Sequence, residues 1–186
     1  MPPSPPTEIV ADACFLLNLA ATGREAEILR SLDVTLLTHD DVLAEALYLV
    51  GEDDDGQRVK EPVDFKDLEE AGFLARRSLG PHGIRSFVKA AERLTDRDAK
   101  AVALASELAV PLVTDDRCIR NLVAESFPEV VLKSSLELLK EAATQLALST
   151  HEVSEMLRRV RRKGNFAPPR GDPLAEWFGQ ATEPIP

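Results

Sequence analysis

The chain has few aromatic residues, only two cysteines and no long apolar run. Only 5% of its 186 residues are aromatic, which disfavours a protein that works mainly by aromatic stacking. No segment is apolar over the roughly 20 residues that a membrane-spanning helix requires. The opening sequence MPPSPPTE lacks a basic start and an apolar core, so we expect no secretory signal. With Cys14 and Cys118 as the only cysteines, we expect a reducing, cytoplasmic location.

Hydrophobic residues are nevertheless abundant enough for a well-packed core. They make up 44% of the sequence, and charged residues make up 29%, which is a globular composition. A chain of this length fits one domain, or one domain with an appendage. We expect an α/β domain over residues 1–148, followed by a basic helix and tail over residues 149–186.

The net charge of −10 is very unevenly distributed. Residues 39–70 hold 12 acids and 3 bases and account for almost all of the imbalance. Residues 76–100 hold seven bases and three acids, and residues 156–170 hold six bases and no acid. An acidic total charge therefore does not exclude a polyanionic substrate, because local charge matters more than its sum. The basic run after residue 156 would suit RNA, an acidic partner, or the acidic segment of the same chain.

Apolar periodicity and turn residues predict strands that alternate with helices. Strands are predicted at residues 8–13, 33–39, 110–114 and 129–133. Helices are predicted at residues 14–22, 24–32, 40–50, 63–80, 82–94, 95–109, 117–126, 135–148 and 149–163. Residues 51–62 are predicted as a solvated loop and residues 165–186 as a tail. This alternation predicts a three-layer α/β/α fold with a short parallel sheet of four or five strands and a C-terminal helical extension.

Four carboxylates stand at or near junctions where ligands collect in such folds, outside the carboxyl ends of the strands. Asp12 closes the first predicted strand, and Asp116 follows the third strand. Glu45 and Asp98 lie in predicted helices. Convergent carboxylates repel one another unless they are protonated or share a cation. A hard ion such as Mg²⁺ or Mn²⁺ accepts oxygen ligands, so the four acids are candidate metal ligands.

Four segments carry a resemblance to a known family. The sequences IVADACFLLNLA, VLAEAL, LTDRDAKAVALA and LVTDDRCIRNL resemble, in order, the four acidic motifs of the PIN-domain ribonucleases. The resemblance covers roughly residues 8–133 and is greatest to the VapC-type toxins of toxin–antitoxin pairs. It implies a metal-dependent endoribonuclease in which Asp12, Glu45, Asp98 and Asp116 are catalytic and hold Mg²⁺ or Mn²⁺. It also implies a homodimer and a cognate antitoxin protein.

Other residues are predicted to contact the RNA substrate. Thr114 matches the threonine of the family's Thr-x-Asp motif. The family commonly has Ser, Thr or Asn where this chain has Cys14, and we expect Asn18 to replace part of that polar contact. Basic side chains along the predicted groove would bind the RNA backbone: Arg85, Lys89, Arg93 and Arg97. A plain solvated helix surface is the open alternative for these bases.

Simpler interpretations stand beside these predictions. Asp98 suits the first turn of a helix capped by Thr95 or Asp96, and Glu45 suits a solvated helix face. Asp115 is expected to point away from the ligands, and the two cysteines are expected to pack in the interior. A non-catalytic PIN-like RNA- or protein-binding module is the alternative function. A phosphoacceptor receiver domain is disfavoured, because only one acid follows the first strand.

Overall fold

The computed structural model describes residues 5–44, 47–52, 55 and 57–183. Within these ranges the strands are β1 (Thr7–Ala11), β2 (Val34–Thr38), β3 (Tyr48–Glu52), β4 (Arg58–Pro62), β5 (Leu74–Arg76), β6 (Leu112–Val113) and β7 (Leu132–Lys133). The helices are α1 (Ala13–Thr22), α2 (Glu25–Leu32), α3 (Asp40–Ala44), α4 (Lys66–Glu70), α5 (Pro81–Ala91), α6 (Asp96–Leu108), α7 (Arg117–Ser126), α8 (Ser135–Gln145), α9 (Thr150–Lys163) and α10 (Ala175–Thr182).

A five-stranded parallel sheet in the order β5-β2-β1-β6-β7 forms the centre of the protein. Alternate residues of β1 enter two separate apolar clusters, as the two-residue period of a strand requires. Ile9 packs with residues of α1, α2, α8 and α9, whereas Val10 packs with residues of α5, α6 and α7. Helices therefore cover both faces, and the predicted three-layer α/β/α fold with a parallel sheet is confirmed.

Three predictions of local structure were wrong. The first is the helix over residues 40–50 and the loop after it. Helix α3 ends at Ala44, and β3 pairs with β4 as an antiparallel hairpin in which Tyr48 faces Pro62. Tyr48 and Val50 favour strands, and cross-strand contacts such as Lys60 Nζ over the Tyr48 ring, 5.2 Å from its centroid, stabilise the pairing.

The second wrong prediction is the long helix over residues 63–80. Helix α4 ends at Glu70, and Gly72 has a φ of 77°, a left-handed conformation that cannot continue a helix. The chain then forms β5, which pairs with β2 at the edge of the sheet. A three-residue edge strand leaves almost no periodic signal in the sequence.

The third wrong prediction is the structureless tail, because residues 175–182 form α10. The rings of Phe166 and Phe178 pack edge to face with centroids 5.5 Å apart. Both rings join the apolar cluster that contains Ile9. The C-terminal segment is thus held against the α/β core by buried aromatic contacts.

The basic helix α9 begins with the predicted capping box, in which Ser149 and Glu152 exchange hydrogen bonds. Several of its charges are used inside the chain. Arg158 donates to the Glu183 carbonyl oxygen at 2.7 Å, and Lys163 pairs with Glu61 at 2.8 Å. The Lys163 contact agrees with the hypothesis that this run meets the acidic segment of its own chain. No helix in the described ranges is both long and apolar enough to cross a membrane.

Candidate functional site

The candidate site lies at the carboxyl edge of the central sheet. Because its strands are parallel, the residues that follow β1 and β6 emerge at the same edge. The Asp12 amide donates to the Val113 carbonyl oxygen at 3.4 Å, and the Thr114 amide donates to the Lys133 carbonyl oxygen at 3.0 Å. The sheet itself therefore places Asp12 beside the segment that carries Thr114 and Asp116.

Asp12 is a buried carboxyl group at the start of α1. Only 3% of the residue is exposed, and its Oδ1 accepts a hydrogen bond from the Phe15 amide at 2.7 Å. Burial raises the pKa of Asp12 to about 7, although hydrogen bonds from Thr114 and Phe15 oppose the shift. The negative charges of Asp115 and Asp98 raise this pKa further. A cation at this position would favour the charged carboxylate.

Asp116 is held rigidly as the N-cap of α7. Its Oδ1 accepts hydrogen bonds from the amides of Cys118 at 2.6 Å and Ile119 at 3.0 Å. The Asp116 amide donates to the hydroxyl oxygen of Thr114, which is completely buried, at 3.1 Å. Thr114 therefore contacts both Asp12 and Asp116, which places it between the two predicted ligands. The prediction that it contacts substrate stays a prediction.

Asp98 lies in the first turn of α6, where Thr95 is the N-cap. The Thr95 hydroxyl donates to Asp98 Oδ2 at 2.6 Å, and Asp98 Oδ1 lies 3.6 Å from Arg97 Nε. The first-turn position in a helix capped by Thr95, which the sequence allowed for Asp98, is therefore observed. It is compatible with a site role, because the charge of Asp98 also acts on Asp12 and Cys14.

The negative charges of the predicted ligands act on the Cys14 thiol. Desolvation raises the pKa of its thiol to about 12, and the charges of Asp12, Asp116, Asp115 and Asp98 add to the shift. The thiol is therefore neutral at physiological pH. Both Cys14 and Cys118 are exposed free cysteines, so the prediction that they pack in the interior was wrong. Each follows an N-cap aspartate by two residues, where the first turn of a helix can remain exposed.

Asp115 faces α8. Its Oδ1 accepts a hydrogen bond from the Ser135 amide at 3.0 Å, and its Oδ2 accepts one from the Ser135 hydroxyl. Burial raises the pKa of Asp115, the hydrogen bonds from Ser135 oppose the shift, and the charge of Asp172 adds to it. Sequence reasoning missed Ser135 and Asp172, which lie 20 and 57 positions from Asp115 along the chain.

Asn18 is buried in the same place, with 2% of the residue exposed. Its Nδ2 donates to Ser135 Oγ at 3.1 Å and to Asp115 Oδ2 at 3.4 Å. These internal partners occupy the amide group that the sequence assigned to substrate. The prediction that Asn18 binds RNA is untested, and its geometry favours an internal role.

The predicted RNA-binding bases differ in their distance from the acids. Lys89 Nζ donates to the Ser126 carbonyl oxygen at the end of α7, and Arg93 pairs with Glu125. Arg85 contacts His82 near the start of α5. The start of α5 lies against the C-terminal end of α6, because the Gly80 amide donates to the Glu107 carboxylate there. Glu107 lies nine residues beyond Asp98, about 14 Å along the helix at 1.5 Å per residue. Among the described residues, Arg97 is the one of the four that directly neighbours a predicted ligand, Asp98.

The chemistry of the donor atoms suits a hard divalent cation, although the described acids do not form a group that could hold one. Asp12, Asp98 and Asp116 offer carboxylate oxygens, which Mg²⁺ and Mn²⁺ prefer. A cation would also offset the desolvation of Asp12. In the part of the chain that the structure describes, no group of three or more His, Cys, Asp or Glu side chains is arranged to hold a metal ion. The fourth predicted ligand, Glu45, lies outside the described residues.

Comparisons with known proteins do not assign a family. No protein-family model matches the chain, and neither the curated proteins nor the solved structures gave a match. The fold shows an α/β protein with acidic residues at the carboxyl edge of its sheet, and a functional assignment rests on the site residues alone.

Proposed function

We propose that this protein is a Mg²⁺- or Mn²⁺-dependent endoribonuclease. Asp12, Asp98 and Asp116, together with Glu45, would hold the cation. The observation that carries the proposal is the buried Asp12 carboxyl group, whose pKa is raised to about 7 beside other acids. Burying such a group is costly unless a positive charge compensates it. The resemblance of the four motifs to PIN-domain ribonucleases supplies the reaction class.

Hydrogen bonds within the chain hold the proposed ligands in position. When bound, the cation would supply Lewis acidity for in-line hydrolysis of a phosphodiester. The N-terminus of α7 orients Asp116 through two amide hydrogen bonds, and Thr114 links Asp116 to Asp12. Arg97, whose Nε lies 3.6 Å from Asp98 Oδ1, would contribute a positive charge to the binding of a substrate phosphate. Preorganised ligands of this kind avoid the cost of rearrangement during the reaction.

The biological setting follows from the resemblance and is part of the proposal. The protein would be the toxin of a toxin–antitoxin pair, homodimeric, cytoplasmic and inhibited by a cognate antitoxin. Hydrolysis of this type needs no ribose 2′-hydroxyl as nucleophile, so the chemistry alone does not choose RNA over DNA. The preference for RNA rests on the family resemblance.

A non-catalytic RNA- or protein-binding module is the second candidate, and Cys14 favours it. A neutral thiol among the acids is a poor ligand for a hard cation and a poor partner for a phosphate oxygen. In that case the acidic residues at the carboxyl edge of the sheet would have no catalytic role. The two candidates differ in whether the purified protein needs a divalent cation to act on RNA.

Metal removal tests the proposed activity. The purified protein is expected to cleave end-labelled single-stranded RNA in Mn²⁺ or Mg²⁺, to lose activity in EDTA and to regain it with excess Mn²⁺. A DNA strand of the same sequence serves as the control for substrate class. Cleavage that persists in EDTA would refute the metal mechanism, and RNA binding without cleavage in any of these ions would favour the binding module.

A further inference from the structure

We infer that Asn18, Asp115 and Ser135 form a positioning network that fixes Asp12 relative to Asp116; the inference rests on the proposed metal site. None of the three is assigned here as a metal ligand. They connect, through side-chain hydrogen bonds, the segments of the chain that deliver the two aspartates.

The network is built from two buried residues and one partly buried carboxylate, all with well-defined partners. Ser135 is completely buried, and Asn18 is 2% exposed. Ser135 donates both its amide and its hydroxyl to the Asp115 carboxylate, one to each oxygen. Asn18 donates its side-chain amide to Ser135 and to Asp115. Side chains so buried are placed to orient other residues rather than to meet a substrate.

Each member belongs to a different element at the carboxyl edge. Asn18 lies in α1, whose N-cap is Asp12, six residues earlier. Asp115 lies between Thr114, which follows β6, and Asp116, the N-cap of α7. Ser135 is the first residue of α8, whose positive helix end suits the Asp115 carboxylate. The network therefore ties the middle of α1 to the segment that leads into α7, through the first residue of α8.

In other metal sites, residues that do not bind the metal hold its ligands in position, and this network would act in the same way. Residues that orient metal ligands typically change metal affinity by 10- to 100-fold when they are removed. Asp115 cannot rotate away from α8 without leaving the Ser135 amide unsatisfied. The peptide segment from Thr114 to Asp116 is therefore held in one conformation, and Asp116 with it.

The chain offers a matched control one residue away. Ser134 is the N-cap of α8 and exchanges hydrogen bonds with Glu137 in a capping box. Ser134→Ala damages the same helix end, whereas Ser135→Ala removes a donor to Asp115. A purely structural role would make the two variants similar in every measurement.

We expect Ser135→Ala to weaken Mn²⁺ binding about tenfold or more in a calorimetric titration of the full-length protein. Ser134→Ala should lower the melting temperature but leave the Mn²⁺ affinity within about twofold of wild type. Asn18→Ala should weaken Mn²⁺ binding in the same direction as Ser135→Ala, which keeps the test available if that variant folds poorly. In RNA cleavage assays, excess Mn²⁺ should restore the kcat of Ser135→Ala to the wild-type value.

The outcomes separate this inference from the proposed function. If wild type binds Mn²⁺ and cleaves RNA but Ser135→Ala and Asn18→Ala bind Mn²⁺ equally well, the network does not position the site and only the inference fails. Equal weakening by Ser134→Ala would also overturn it, because a general loss of α8 structure would then explain the result. If wild type binds no Mn²⁺, the proposed function fails and this inference fails with it.

Discussion

Asp12→Asn is expected to lower Mn²⁺-dependent RNA cleavage by about 100-fold or more. A bound cation contributes several kcal/mol to such a reaction, and each 1.36 kcal/mol corresponds to about a tenfold change in rate. Asparagine keeps an oxygen that can accept the Phe15 amide and is a good N-cap, so α1 should still begin at the same place. The loss would therefore report the carboxylate charge and not a broken helix. Initial rates of cleavage at saturating RNA measure the effect.

Asp64→Asn is the matched control for this substitution. Asp64 is exposed and its Oδ1 accepts a hydrogen bond from the Lys66 amide at 2.9 Å, so it makes the same kind of local contact as Asp12. It is not among the charges that act on Asp12 or Cys14. Asp64→Asn should retain wild-type activity. An Asp12→Asn variant as active as Asp64→Asn would exclude Asp12 from the catalytic site.

The second large effect is on stability without metal. Because burial raises the pKa of Asp12 to about 7 from an ordinary 3.8, the folded protein binds this proton more tightly than the unfolded chain. The resulting stabilisation is complete below pH 3.8 and is lost as the pH rises through 7. Three pKa units correspond to a change of about 4 kcal/mol in the free energy of unfolding. Asp12→Asn removes this pH dependence. Its free energy of unfolding should therefore increase relative to that of wild type as the pH rises from 5 to 8.

Urea unfolding of the two proteins in EDTA at several pH values measures this difference. Burial also raises the pKa of Asp115, which adds a dependence of the same sign, but both proteins contain Asp115 and its contribution largely cancels. Saturating Mn²⁺ should stabilise wild type more than Asp12→Asn at pH 8, because only a folded site binds the ion. A difference in unfolding free energy that stays constant from pH 5 to 8 would mean that Asp12 is not the buried acid described here.

Much of the fold could be predicted because its strongest signals are local. Strand β1 ends in apolar residues followed directly by Asp12, and the apolar strand β6 is followed by Thr114 and two aspartates. Helix α6 begins with an acidic turn capped by Thr95. Prediction from the local sequence was wrong where pairing between strands determines the structure. The β3–β4 hairpin and the edge strand β5 depend on partners elsewhere in the chain.

The candidate site was predictable only in part for the same reason. The positions of Asp12 and Asp116 follow from the rule that parallel strands end at one edge of the sheet. The partnership of Asp115 with Ser135 leaves no sequence pattern, because 20 residues separate them and no motif links the two positions. The sequence suggested Asn18 as a substrate contact on α1, and only packing reveals that its amide is directed to Ser135.

Calorimetric titration of Mn²⁺ into the metal-free protein at pH 8 tests the metal site most directly. Wild type and Asp64→Asn should bind Mn²⁺ saturably with the same Kd. Asp116→Asn should bind at least about tenfold more weakly, although asparagine can still cap α7. No heat above dilution for wild type, or an unchanged Kd for Asp116→Asn, would contradict the assignment of these acids as metal ligands.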